Sequence, residues 1–154
     1  VHLPATTDRR ALAPAALLRE PELWRFCEIA ESDPERVRNT LPGPLRAALP
    51  ALIKQQAAQL APADDESLMM ALTQTCALLG FSGSQASRTE WIAAAIVRMR
   101  GVPHDLVFEA LREAEESCTR VTEVVKAVFD YLEDLPSRRK ARMAKLLVLA
   151  EAIG

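Results

Sequence analysis

Ser87-Arg88-Thr89-Glu90-Trp91-Ile92-Ala93-Ala94-Ala95-Ile96-Val97-Arg98-Met99, then Gly101-Val102-Pro103, then Asp105 to Ser117 and Val121 to Leu132, is the stretch that decides the fold. Trp91, Ile92, Ala95, Ile96 and Met99 recur at the spacing of one helical stripe. Ser87 and Glu90 stand at the spacing of a capping box, in which each side chain serves the other's backbone N–H. Gly101 suits the left-handed residue after a helix, and Pro103 stops that helix and opens the next. The second helix carries Leu106, Val107, Ala110, Leu111 and Ala114 on one side and Glu109, Glu113, Glu115 and Glu116 on the other. In the third, Val121, Val124, Val125, Val128, Phe129 and Leu132 form the cleanest stripe in the chain, with Thr119 or Thr122 as the expected cap. Valine is a modest helix former, so packing must hold that helix.

Outward from this unit the same pattern repeats. Pro21 opens a helix with Leu23, Trp24, Phe26, Cys27 and Ala30, and Ser32-Asp33-Pro34-Glu35 starts a short one reaching Asn39. Leu41-Pro42-Gly43-Pro44 is a strong breaker and the expected joint between an N-terminal arm or lobe (1–40) and a main bundle (41–154). Pro50 falls inside the apolar run Leu45 to Leu60, so either the helix kinks there or a short turn ends and the main helix begins at Pro50; the second is the expectation. Asp64-Asp65-Glu66 puts negative charge at the next helix start, where the helix dipole favours it. Its expected inward stripe is Leu68, Met69, Leu72, Cys76 and Leu79, closed by Gly80. Phe81 to Ala86 reads as a flexible linker. The last helix is expected from Pro136, with Met143, Leu146, Leu147, Ala150 and Ile153 facing inward. At the other end, Val1 to Thr7 reads as a loose arm and Arg9 to Leu18 as a short helix.

The composition fits this picture. Apolar residues are 49% and charged residues 26% of the 154, the balance of a globular domain with a real core. Aromatics are only 5%, and no run of alternating β-branched residues is found, which disfavours a sheet. The expected fold is all-α, a compact bundle of about seven helices without a sheet. A net charge of −2 supplies no global basic field for nucleic acid or membrane. No apolar run approaches the roughly 20 residues of a membrane span, and Val1 to Arg10 lacks the apolar middle of a signal peptide. Cys27, Cys76 and Cys118 are odd in number and scattered, which points to a reducing, cytoplasmic setting. Their spacing suggests no metal knuckle, so no metal and no cofactor is expected.

Three groups of residues are candidates for function. Arg138, Arg139, Lys140, Arg142 and Lys145 make a basic cluster; Arg138, Arg142 and Lys145 share one helix face and could track a phosphate backbone or an acidic partner. A solvated face paired with the acidic helix is the blander account. Trp24 and Phe26 cannot both point at one surface of a helix, so one of them is a candidate partner contact. Gly80-Phe81-Ser82-Gly83-Ser84 with Arg88 only loosely resembles a phosphate-cradling loop, because it lacks the lysine and the preceding strand. His104 and Asp105 are neighbours without a nucleophile beside them, a surface pair rather than a catalytic dyad.

The stretch 87–135 resembles the small helical loader and inhibitor proteins that phages use on replicative helicases. The likeness lies in Trp91 early in one helix, the Val107, Ala110, Ala114 run in the next, and a third helix opening near Thr122 with Val125 inside. The resemblance implies a non-enzymatic phage or replication accessory. The expected function is therefore a helical adaptor that binds another protein. The alternatives are a nucleic-acid binder using the basic C-terminal helix and, last, a small enzyme.

Overall fold

The computed structural model describes residues 14–154. The expected arm over 1–7 and the start of the helix from Arg9 lie outside them. Nine α-helical segments follow one another: α1 (Pro14–Leu17), α2 (Pro21–Ser32), α3 (Pro34–Thr40), α4 (Gly43–Leu60), α5 (Asp65–Leu79), α6 (Gln85–Met99), α7 (His104–Ser117), α8 (Val124–Leu132) and α9 (Leu135–Ile153). A 3-10 turn, Val121–Glu123, leads into α8. Seven of the nine helices have nine residues or more; α1 and α3 are short. No strand is present among the described residues, so the fold is all-α as expected. One isolated bridge pairs Pro62 with Pro103.

The chain divides into two compact units, 1–56 with 142–154, and 57–141. The joint expected at Leu41-Pro42-Gly43-Pro44 is not where the units part. Leu41 is itself buried in the core of the first unit, together with Leu49 and Leu52 farther along α4. A breaker in sequence marks a turn, and the apolar residues beyond it decide which core the chain rejoins.

In the first unit, Leu23, Cys27 and Ala30 of α2 and Val37 of α3 meet Leu146, Leu149 and Ala152 of α9. Asp33 caps α3 by accepting from the Arg36 N–H at 3.1 Å, and Pro34 takes the first helical position, where a missing N–H costs nothing. Arg38 Nε donates to the Ala152 carbonyl at 3.2 Å, placing a cation on the last turn of α9. α4 runs unbroken through Pro50, contrary to the expected start at that residue. A proline frees the carbonyl four residues back, here that of Arg46. Both residues are exposed, so water can take that bond. On α9 the inward residues are Leu146, Leu149 and Ala152, while Leu147, expected inside, is exposed.

The second unit is built on the stretch that opened the sequence argument. Val107, Ala110, Val124 and Val128 are fully buried where α7 packs on α8. Leu68 and Leu72 of α5, with Ile92, Ala95, Ile96 and Met99 of α6, complete the core. Trp91 and Phe108 are partly buried against it. Gly101 has φ +89, the left-handed conformation its position demanded. The caps differ from expectation. Ser84, not Ser87, caps α6, accepting from the Ser87 N–H at 3.1 Å. Neither Thr119 nor Thr122 caps α8, which is entered through the 3-10 turn with no side-chain cap. The expected linker is accordingly short: Gln85 and Ala86 already belong to α6, and Phe81 packs on the core.

Candidate protein-binding face

α5 begins where Asp64 accepts from the Ser67 N–H at 2.7 Å, a contact that holds the Asp64 carboxyl below its ordinary value of 3.8. From Ser67 to Ser87 the chain has no Asp, Glu, Lys or Arg. An amphipathic helix on the surface of a domain ordinarily turns charge outward. α5 instead turns out Met69 (53% exposed), Met70 (60%) and Leu78 (67%). The expected stripe had Met69 inside. Thr75 takes the inward place, fully buried, its hydroxyl 2.9 Å from the Ala71 carbonyl and 2.7 Å from Glu115 Oε1. One proton serves two acceptors there, and the contact with α7 fixes the rotation of α5 about its axis. Met69 then has nowhere to go but outward.

α6 lies beside α5 in the opposite direction. Arg100, just past the end of α6, donates from Nε and Nη2 to both carboxylate oxygens of Asp65 at the start of α5, at 3.2 and 2.7 Å. Both partners are more than half exposed, so the pair fixes alignment more than it adds stability. At the other end, Arg88 lines a depression with Cys76, Ala77 and Gly80. Between these ends runs an open groove of about 410 Å³. Met69 and Thr73 form one wall, Thr89, Ala93, Ile96 and Val97 the other, and Ile92 the floor. Val97 is 63% exposed. The groove offers methyl groups and thioether in its middle and charge only at its ends. It has no set of acids, bases or nucleophiles suited to catalysis. Its middle is an apolar surface open to solvent.

The residues singled out from sequence fall elsewhere. Trp24 and Phe26 are both half-buried against the core of the first unit, and Trp24 Nε1 donates to the Leu18 carbonyl at 2.8 Å. They serve packing. Within the basic cluster, Arg138 pairs with Asp134 at 2.8 Å. Arg139 grips both oxygens of Asp105 at 2.7 and 2.6 Å and also donates to the Gln59 carbonyl. That guanidinium holds the Asp105 carboxyl below 3.8. The expected pairing with an acidic helix thus runs to the first turn of α7, and not to Glu109, Glu113 or Glu116. Lys140, Arg142 and Lys145 are exposed. His104 and Asp105 form no dyad: the His104 ring Nδ1 lies 2.9 Å from the Ala61 carbonyl, and Asp105 is taken by Arg139. Ser84, in the loop that loosely resembled a phosphate cradle, spends its hydroxyl on capping α6. Tyr131 donates to Glu109 on the acidic side of α7 at 3.0 Å, and the neighbouring carboxylate pushes its hydroxyl pKa up.

Among the described residues no helix is long and apolar enough to cross a membrane, and no group of three His, Cys, Asp or Glu side chains is placed to hold a metal. Comparison with family models, with curated proteins and with solved structures gave no match.

Proposed function

We propose that this protein is a non-enzymatic helical adaptor whose α5–α6 face is covered by another protein surface. The observation that carries this is a solvent-facing helix without one charged side chain from Ser67 to Leu79, beside a groove whose other wall carries the exposed Val97. Isolated exposed apolar residues are ordinary, but a contiguous uncharged face flanked by charged ends has the composition of an interface core with a polar rim. The three free thiols of Cys27, Cys76 and Cys118 suit a cytoplasmic setting. The resemblance of 87–135 to helicase loaders makes DNA replication the setting to test first. Nucleic-acid binding through α9 has less support, because Arg138 and Arg139 are already held by carboxylates.

The test is a photo-crosslinking residue placed at Val97 in the source cells, with Glu113 on the opposite, acidic side of α7 as the control position. A discrete protein adduct at Val97, absent at Glu113 and lost when Met69 is changed to Asp, is the expected result. Equal labelling at the two positions, or none at Val97, refutes the assignment of this face.

A further inference from the structure

We infer that the surface covering the α5–α6 face is a second copy of this chain, docked antiparallel about a two-fold axis that runs across the two helices. This rests on the face being an interaction surface, as proposed above, and names its occupant. Exposed residues spaced by four run along the face: Met69 and Thr73 on α5 and Thr89, Ala93 and Val97 on α6 line the groove, and Ala77 continues the α5 row into the depression beside Arg88. Asp65 beside Arg100, and Ala77 beside Arg88, set the register between the helices, so Thr73 and Ala93 lie at nearly the same height.

A two-fold interface sets each residue i on residue j and j on i. With the axis at the height of Thr73 and Ala93, the large Met69 of one copy meets the small Ala77 of the other. Val97 meets Thr89, a side chain of nearly equal size, and Thr73 and Ala93 each face their own copy at the crossing. Rows spaced by four residues are the ridges that interlock in the commonest helix packing. The ends match as well. Glu66, on the exposed side of the first turn of α5, comes over the end of the other copy where Arg88 stands. An arbitrary apolar partner would need neither the fit of Met69 to Ala77 nor the opposite charges at the two ends.

Each helix is 15 residues, hence about 22 Å long, and two side by side are about 20 Å across. That face is about 440 Å² in projection, well under the roughly 800 Å² per partner of a standard interface, so the dimer is expected to be weak and reversible, with a Kd of about tens of micromolar or more.

Sedimentation velocity on the whole chain, from about 1 to about 500 µM, is expected to show a monomer–dimer equilibrium. Ala77→Met closes the pocket for Met69 and should raise Kd by roughly tenfold or more. Adding Met69→Ala in the same chain restores one large and one small residue and should recover most of the affinity. Thr73→Cys, in a Cys118→Ser background, should form a disulfide with its own copy on mild oxidation; Glu113→Cys should not. Circular dichroism melts confirm that each variant is folded, and both residues of the swap are exposed. A protein that stays monomeric throughout overturns the second-copy assignment, and so does a dimer that ignores Ala77→Met. Either result leaves the crosslink at Val97 to decide separately whether some other protein covers the face.

Discussion

Glu133 is the place where the backbone is held against its preference. It ends α8 with φ +46 and ψ −118, the only non-glycine residue with positive φ among those described. In that region the Cβ crowds the adjoining peptide, and glycine is nearly alone in adopting it without strain, which costs other residues about 1–3 kcal/mol. The Glu133 side chain is exposed and has no hydrogen bond or ion pair among the described contacts. Its backbone N–H, which donates to Phe129 at 3.0 Å, survives any substitution but proline. Glu133→Gly therefore relieves strain without losing a contact. Against that stands the greater freedom of glycine in the unfolded chain, about 0.4–1 kcal/mol. The expected net gain is about 1 kcal/mol, read as a Tm rise of roughly 2–4 °C for a chain of this size, or a urea midpoint higher by about 0.5 M at unchanged slope. Glu133→Ala keeps the Cβ and should change stability by less than about 0.5 kcal/mol. A Glu133→Gly protein no more stable than wild type refutes the strain, and an equal gain from Glu133→Ala assigns the effect to the charge instead.

Three further outcomes are expected. Pro50→Ala restores the N–H that α4 lacks and should stabilise by about 1–3 kcal/mol in urea unfolding; a loss would mean that the ring fixes a bend the helix needs. Leu72→Ala, at a fully buried position, should cost about 2–5 kcal/mol, while Met69→Ala on the same helix should cost under about 0.5 kcal/mol; comparable losses would show α5 rotated from the orientation described. Burial pushes the Cys27 thiol up to about 11, so the native state holds that proton longer than the unfolded chain, whose thiol has the ordinary value of 9.0. Stability should be unaffected by this group below pH 9 and fall by up to about 2–3 kcal/mol as pH rises through 11, a fall absent in Cys27→Ala.

How far the sequence could be read depended on whether a helix offers one apolar face or several. α7 and α8 have one each. Every valine of Val121, Val124, Val125 and Val128 lies on the expected stripe, and all are buried. α9 carries Leu146-Leu147-Val148-Leu149-Ala150 in succession, apolar whichever way it turns. Periodicity cannot choose there between Leu147 and Leu149; packing in the first unit chose Leu149. The caps failed for a related reason. Ser82, Ser84 and Ser87 can each cap a helix, and only the position of Phe81 on the core settles that Ser84 does. Pro50 was misjudged because the cost of a proline depends on whether the carbonyl it frees is wet, a property of the folded surface.

The groove does not announce itself by charge or aromatic rings; its mark in the sequence is a run without charge. A helix whose sequence permits several apolar faces buries one and must expose another. Its neighbours decide which, and here the bond from Thr75 to Glu115 makes the choice by pulling a hydroxyl inward. A chain with no use for the outer face could have carried lysine or glutamate at Met69, Met70, Thr73 or Leu78 at little cost, since those positions are wet. The lack of charge over Ser67 to Ser87 is therefore unexplained by the core of this unit alone, and it is legible in the sequence itself. The basic cluster of α9 shows the converse. It stood out in sequence, but Arg138 and Arg139 are held by Asp134 and by Asp105, a partner that sequence distance concealed.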